Sequence, residues 1–409
     1  MDGRCIICSI SLDRGSGGED FFLEEEWWKR HVLDFPGWLW IDARELENRF
    51  LTRGKHFWSN LYRLIIYDPI IQRHRVTGVG HHPGIIGDRL LPRWYYAAAR
   101  DINQAVIGIP EETDPELITV VNSRLSWWWA GEEPKRDWHT LALAMHMHCW
   151  TMARRIIGPK VESEYLRPAT ALVLRKARER EVAARRAREM GCQDQEEWQR
   201  SSTTYEEPLK IMSMKKLIEA HHTRSANSTL PSSTQSMLPY EIRCIILDYL
   251  DHQTLHSLLR AVNCPLDDSY WRSRMSFYLI GMEEVVKEAE QQHQLNWQAL
   301  CLETEQLDAT TDVFRIRHRV VDSLTDIKAQ LDRGISVSLP NVLNHIQDEM
   351  VGEYWEGYAG HILCGLSGTK PAMMQCLVNA GFLTEAQSIL YQQYASNPSP
   401  KNFDLFSET

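Results

Sequence analysis

The stretch from Leu238 to Met275 carries the pattern that says most about the fold. It begins Leu238-Pro-Tyr-Glu-Ile-Arg-Cys-Ile-Ile-Leu-Asp-Tyr-Leu250 and ends Asp267-Asp-Ser-Tyr-Trp-Arg-Ser-Arg-Met275. Pro239 suits the first turn of a helix, where its missing N–H would have no intrahelical partner anyway. The apolar residues that follow recur at helical spacing and predict one shared face: Ile242, Ile245, Ile246, Tyr249 and Leu250.

A second short helix is predicted next, with apolar positions at Leu255, Leu258, Leu259 and Val262. Two short apolar helices cannot bury much surface by themselves. They therefore need a partner surface, which either the rest of the chain or another protein must supply.

The spacing Leu-Pro-x-Glu-Ile-x-x-x-Ile-Leu-x-Tyr-Leu resembles an F-box, and the ending Tyr-Trp-Arg-Ser-Arg-Met is similar to the variant found in a large group of fungal F-box-like proteins. Two more segments resemble the same group: the run from Met145 to Gly158 with its His-x-x-Cys-Trp pattern, and Asn296-Trp-Gln-Ala-Leu-Cys-Leu-Glu303. This sequence departs from the F-box pattern between Leu250 and Trp271, where the gap is short and Pro265 would interrupt a middle helix.

The resemblance implies that the box docks on the Skp adaptor of an SCF-type ubiquitin ligase, which is built on a cullin. The flanking regions would then recruit a protein substrate, which the sequence does not identify. The residues expected to form or support the docking surface are Leu238, Pro239, Ile242, Ile245, Ile246, Leu250, Leu255, Leu258, Leu259 and Trp271.

An adaptor of this kind needs no catalytic residues, because it acts by holding a substrate close to a loaded thioester. The sequence contains no Gly-x-Ser-x-Gly elbow. We therefore expect a protein that is not an enzyme. The alternative is a non-catalytic structural or protein-recognition module whose degenerate box no longer engages the ligase.

Composition narrows the class of protein. The net charge of −10 argues against a nucleic-acid binder, and no apolar run approaches the roughly 20 residues that span a bilayer. The first residues, Met-Asp-Gly-Arg-Cys, lack a signal pattern. Nine scattered cysteines suit free thiols in a reducing compartment. These features predict a cytoplasmic or nuclear protein that does not enter a membrane.

Changes in composition along the chain predict its domains. The fold class expected is mainly α, with an irregular, loop-rich N-terminal part that has minor β content. The predicted segments are an aromatic-rich domain (1–166), a basic connecting helix (167–200), a polar linker with one short helix (201–237), the F-box-like motif (238–280), a C-terminal helical domain (281–395) and a tail (396–409).

Local patterns predict several individual elements. The run from Leu61 to Tyr67 is typical of a strand or a buried segment, although its length also suits a helix. The run from Trp138 to Ile157 is typical of a helix. Later helices are expected over Leu209–Ala220, Glu283–Leu302 and Val313–Leu331, and further on over Val342–Gly352 and Thr384–Tyr394. The glycine-rich stretch around His81-His82-Pro83 is not a phosphate-binding motif and favours a surface loop.

The basic segment from Arg167 to Glu189 predicts a long, solvated helix. Its positive charge is typical either of a nuclear-localisation patch, of an RNA-contacting stripe, or simply of an exposed connecting helix.

The three consecutive tryptophans Trp127-Trp128-Trp129 can be either core residues or a binding anchor. Successive side chains diverge, so at least one of the three indoles should point away from a shared core, either into a second layer or to solvent as a binding anchor.

Cys5-Ile-Ile-Cys8 has the spacing of half a zinc site. A complete site needs two more ligands, and the candidates are His31, His81, His82, His146, His148 and Cys149. The alternative is that Cys5 and Cys8 are two small buried thiols. The soft ligands in Met145-His-Met-His-Cys149 also suit copper or zinc. Core packing is the simpler explanation, because His146 and His148 do not share a face at helical spacing. No cofactor other than this possible zinc is expected.

Overall fold

The computed structural model describes residues 5–10, 12, 38–49, 57–81, 95–108, 114–121, 142–189, 207–224, 238–261, 266–292, 295–335 and 337–346. Helices dominate these residues, which confirms the mainly α prediction. Residues 1–343 form one compact unit and 344–409 a second one. The predicted domain boundaries within them stay a prediction, and Trp127–Trp129 lie outside the described residues.

The first part of the chain is built from antiparallel strands. In chain order these are β1 (Trp38–Asp42), β2 (Leu61–Asp68), β3 (Arg73–Val76), β4 (Gly80–His81), β5 (Tyr95–Ala99), β6 (Gln104–Gly108), β7 (Leu117–Val121) and β8 (Leu143–His146). Helix α1 (Ala43–Asn48) follows β1, and a 3₁₀ turn, Phe57–Asn60, precedes β2. The strand prediction for Leu61 to Tyr67 is confirmed by β2.

Strand β2 is the centre of this part, because it pairs with β3, β4 and β8. Strands β1 and β6 form a second antiparallel pair, and β5 and β7 a third. Side chains from several elements fill the apolar core beneath them: Ala43, Leu46, Leu61, Val79, Ala105, Ile107 and Met147. A buried ion pair, Arg63 Nη2 to Glu47 Oε1 at 2.9 Å, joins β2 to α1.

Gly78, before β4, and Gly80, its first residue, are needed for close backbone packing. A Cβ on Gly78 would lie 2.1 Å from the Asp101 carbonyl oxygen, and one on Gly80 would lie 2.3 Å from the Ala97 carbonyl oxygen. Residues 78–81 are buried, and His81 is part of β4. The surface-loop prediction is therefore wrong for these residues, because the glycines let strands approach each other rather than form a turn.

The helix predicted from Trp138 to Ile157 begins later. Residues 143–146 form β8, and α2 covers Met147–Ile157. The apolar spacing fits both a buried strand and a helix, and pairing with β2 decides for the strand. After the 3₁₀ turn Pro159–Glu162, the long helix α3 (Leu166–Glu189) confirms the helix expected there. Its first half is buried rather than solvated, for example at Leu172.

The remaining helices are α4 (Met212–Arg224), α5 (Tyr240–Asp248), α6 (His252–Ala261), α7 (Asp268–Arg274), α8 (Ser276–Leu279), α9 (Glu283–Gln292), α10 (Trp297–Thr310) and α11 (Arg315–Asp332). A last helical segment covers 339–346. The single helix predicted from Glu283 to Leu302 is two helices, because Asn296 caps α10 by accepting from the Ala299 N–H. Residues 384–394 lie outside the described part.

The F-box-like helices share one apolar core with α4, α9 and α10. Its fully buried centre includes Met214, Leu255, Trp271, Leu300 and Phe314. Met214 and Ile218 of α4 belong to this core, so the helix before the box packs against it. No helix of the described residues has both the length and the apolar character needed to cross a bilayer.

Candidate metal centre and docking face

The segment 5–10 forms a tight turn that brings its two cysteines together. The Ser9 N–H donates to the Cys5 carbonyl oxygen at 2.8 Å, and the Cys5 N–H donates to the Ile10 carbonyl oxygen at 2.9 Å. Ser9 has a positive φ of 66°, which a turn this tight requires. We call residues 5–8 the knuckle. Both cysteines are fully buried in it.

Strand β8 fixes the position of the knuckle. The Ile6 N–H donates to the Ala144 carbonyl oxygen at 3.0 Å, and the His146 N–H reaches Cys5 Sγ at 3.4 Å. His146 is the last residue of β8 and lies opposite Tyr62 of β2. The central strand thus positions β8, and β8 positions the turn that holds Cys5 and Cys8.

The strand-to-helix junction supplies two more ligand groups. His146 is the residue before α2, and Cys149 lies in the first turn of that helix. Because the chain changes from strand to helix between them, both side chains point at the knuckle. Cys8 Sγ lies 3.2 Å from His146 Nδ1, and Cys149 Sγ lies 3.9 Å from the same nitrogen.

Together Cys5, Cys8, His146 and Cys149 form a buried group whose ligand atoms all lie within 4.8 Å of one another. We call it the Cys3His cluster. Four ligands about 2.0–2.3 Å from one tetrahedral zinc are spaced roughly 3.5–4 Å apart. The cluster is close to that spacing and can bind a metal such as zinc. All four protein ligands are present, which is typical of closed, structural sites rather than catalytic ones.

The four groups are also electrostatically coupled. Burial disfavours a charged thiolate, but hydrogen bonds from Cys149 and Cys8 and the charge of His146 lower the pKa of Cys5. Burial alone would lower the pKa of His146, whereas attraction to Cys8 and Cys5 raises it to about 10. Burial and the neighbouring Cys5 and Cys8 raise the pKa of Cys149. Without a metal, the cluster thus holds protons that a bound cation would displace.

Three side chains enclose the cluster. The indole of Trp58 packs edge-on against the His146 ring, with the ring centroids 4.8 Å apart. Arg180 of α3 donates from Nη2 to the Ile7 carbonyl oxygen at 2.9 Å, and Arg319 of α11 donates from Nη1 to the Cys8 carbonyl oxygen at 3.4 Å. Two helices distant in sequence therefore contact the backbone of the knuckle.

Of the six predicted completing ligands, the structure brings His146 and Cys149 to the knuckle. His148 is buried but faces Glu207, with Nδ1 2.6 Å from Oε1. His81 Nδ1 accepts from the Gly108 N–H at 3.2 Å. His31 and His82 lie outside the described residues. A copper or zinc site built from the 145–149 run alone is not formed, because His146 and His148 point to different neighbours.

The first F-box-like helix presents an exposed apolar surface. Its members are far more exposed than large apolar side chains usually are. Ile245 is 52% exposed and Tyr249 is 86% exposed. We call this surface the α5 face, and it consists of Leu238, Ile242, Ile245, Ile246 and Tyr249. On the opposite side of α5, Leu247 is buried in the core.

Several residues predicted for docking lie beneath this surface. Leu255 and Trp271 are fully buried in the helical core, so of the two predicted roles, forming or supporting the docking surface, their position fits only support. They support α5 and α6 from below. Leu250, Leu258 and Leu259 are partly buried against the same core, and Pro239 is exposed at the start of α5.

Arg274 fastens α5 to the rest of the box. It donates to the Leu247 carbonyl oxygen at 2.7 Å and to the Leu250 carbonyl oxygen at 3.1 Å, at the end of α5. The same guanidinium pairs with Glu305 of α10 at 2.5 and 3.2 Å. Sequence reasoning missed this residue, although it belongs to the Tyr-Trp-Arg-Ser-Arg ending that carried the resemblance.

Three basic side chains of helix α3 pair with acidic neighbours. Lys176 pairs with Asp326, Arg175 with Glu179, and Arg178 with Glu181. Arg175 also donates to Gln330 of α11. These contacts disfavour a continuous RNA-binding stripe over the described side chains of this helix.

No protein-family model, curated protein or solved structure matches the chain.

Proposed function

We propose that this chain is a non-catalytic, F-box-like adaptor that docks on a Skp adaptor of an SCF-type ubiquitin ligase through the α5 face. The observation that carries the proposal is the exposure of four apolar side chains along α5 and at its C-terminal cap: Ile242, Ile245, Ile246 and Tyr249. The resemblance of residues 238–275 to an F-box assigns docking to this same helix.

Exposed apolar area of this kind favours association. The four exposed side chains of the α5 face are spaced three and four residues apart, so they form one stripe along α5 that a groove on a partner can cover. Fully burying one Ile side chain contributes about 1.5–3 kcal/mol. A partner that covers the α5 face would gain part of this free energy at each of the four side chains, which offsets some of the cost of association.

We also propose that the ion held by the Cys3His cluster is zinc and that its role is structural. Three thiols and one imidazole form a common ligand set of structural zinc sites. Zinc there would tie the knuckle to β8 and α2, which pack against the remainder of the first compact unit. Docking and metal binding use separate residues, so either proposal can fail without the other.

Binding of the purified full-length chain to a purified Skp adaptor tests the adaptor function. Wild-type protein should bind with micromolar or tighter affinity in isothermal titration calorimetry. Ile245→Asp should weaken that affinity at least about 30-fold, because a charge would enter an apolar interface. Its unfolding free energy should stay unchanged, because Ile245 is exposed.

Ile70→Asp is the matched control for this experiment. Ile70 lies in the connection between β2 and β3 and is 86% exposed, and it receives the same substitution away from the α5 face. It should bind the Skp adaptor as the wild type does. If the wild type does not bind at micromolar concentration, the adaptor function is lost, and the recognition-module alternative remains.

A further inference from the structure

With zinc bound, the Cys3His cluster would carry a net charge that its own four ligands leave unbalanced. Three thiolates with one divalent zinc and a neutral imidazole leave one net negative charge. All four ligands are fully buried. A buried net charge is costly unless an opposite charge is fixed beside it.

Arg180 is placed to supply that charge. Its Nη2 contacts the knuckle at the Ile7 carbonyl oxygen, 2.9 Å away, and its Nε donates to the Lys176 carbonyl oxygen at 3.2 Å. Nη1 is buried and has no hydrogen-bond partner among the described residues. Within that part of the chain no carboxylate lies within ion-pair distance of Arg180, unlike Arg175 and Arg178 on the same helix.

The groups that attract the Arg180 charge most are the cysteines. Burial lowers the pKa of Arg180, and attraction to Cys8, Cys5 and Cys149, in that order, works against it. The exposed neighbour Glu179 contributes less than the cysteines do. Among the described residues, the guanidinium forms hydrogen bonds only with backbone carbonyls, and one of these belongs to Ile7, between Cys5 and Cys8.

We propose that Arg180 is the charge-balancing residue of the metal centre, and that it raises the affinity of the cluster for zinc without being a ligand. This inference rests on the proposed zinc site and adds to it. It makes α3 part of the centre, since a helix residue more than 170 positions from the knuckle then helps to set how tightly the metal is held. The positive charge of Arg180 on α3 thus acts on the Cys3His cluster inside the chain.

Two substitutions separate the charge of Arg180 from its hydrogen bond. Arg180→Gln removes the charge but keeps an N–H donor for the Ile7 carbonyl oxygen, and Arg180→Lys keeps the charge. Zinc affinity is measured on full-length protein by competition with a chromophoric chelator. Replacing outer-shell partners of metal sites typically costs about 10- to 100-fold in affinity, and we expect that loss for Arg180→Gln. Arg180→Lys should retain most of the wild-type affinity.

Arg186→Gln is the matched control, because Arg186 is exposed on the same helix. It should bind zinc as the wild type does. Cobalt substitution provides a second readout: the thiolate-to-cobalt absorption should keep its wavelength in Arg180→Gln, because all four ligands remain. Wild-type affinity in Arg180→Gln, or equal losses in the Gln and Lys variants, would overturn the proposal. A wild-type chain that binds no zinc at all would instead refute the proposed metal site.

Discussion

At the scale of single residues, buried polar groups tie the helices of the first compact unit to one another. Arg317 of α11 is fully buried and donates to the carbonyl oxygens of Pro208, Phe277 and Ile280, at distances from 2.7 to 3.1 Å. Burial lowers the pKa of Arg317 to about 9, so its charge persists at neutral pH. These bonds satisfy carbonyl groups in the segment before α4 and at the end of α8.

Asp308 of α10 is a second such residue, and its charge has a pH-dependent effect. Partial burial raises the pKa of Asp308, but hydrogen bonds with His318 and Tyr278 outweigh it and hold the pKa below its usual value. Because the folded pKa is below the unfolded one, the stabilisation is complete above the unfolded pKa. It is lost as the pH falls through the folded pKa.

Asp308→Asn should therefore lower the free energy of unfolding by about 1–3 kcal/mol at pH 7, because hydrogen bonds to a charged acceptor are lost. The difference in unfolding free energy between wild type and Asp308→Asn should shrink as the pH falls below about 4, where the carboxylate of the unfolded wild-type chain becomes protonated. Urea denaturation across a pH series measures this. The exposed Asp322→Asn serves as the control. A difference that stays constant with pH would contradict the assigned role of Asp308.

At the scale of elements, α5 depends on its neighbours for its position. Its outward side carries the α5 face, so only the other side, around Leu247, packs on the core. Arg274 gives the Leu247 carbonyl oxygen a second donor besides the Leu250 N–H, and it also bonds the Leu250 carbonyl oxygen just beyond the helix. The Arg274–Glu305 pair, with side chains 12% and 13% exposed, thus holds the proposed docking helix in place.

Arg274→Ala should destabilise this part of the fold by about 3–5 kcal/mol, because it leaves the partly buried Glu305 without its partner. Amides of α5 should exchange faster with deuterium, while those of β2 keep their protection. Arg272→Ala is the control, since Arg272 is about half exposed and its pair with Glu290 lies at the surface. Unchanged protection of α5 in Arg274→Ala would contradict the role assigned to Arg274.

The elements also differ in how well the sequence predicts them. The first two box helices follow from periodic apolar spacing, α3 from its basic, Ala-rich composition and β2 from a short apolar run, and the structure has each of them. The outward orientation of the α5 face does not follow from spacing, because an apolar stripe predicts a buried side but not what covers it. The start of α2 was misplaced, because the run before it is apolar at both strand and helix spacing.

At the scale of the whole molecule, the Cys3His cluster joins parts of the chain that lie far apart in sequence. Cys8 and His146 are separated by 138 residues, and strand pairing brings them together. The Cys-x-x-Cys spacing predicted half of the site. The other half could not be chosen from six candidates, because the sequence does not reveal that the chain passes from strand to helix between His146 and Cys149.

Zinc content of the purified full-length chain tests the central claim, which is that these four side chains form one metal centre. Elemental analysis should find one zinc per chain in the wild type. It should be lost in Cys5→Ser and equally in Cys149→Ser, because each change removes one of four ligands. Cys244→Ser, a change at a free cysteine of α5, should keep the zinc. A wild-type chain without zinc, or full zinc content in Cys149→Ser, would contradict the claim.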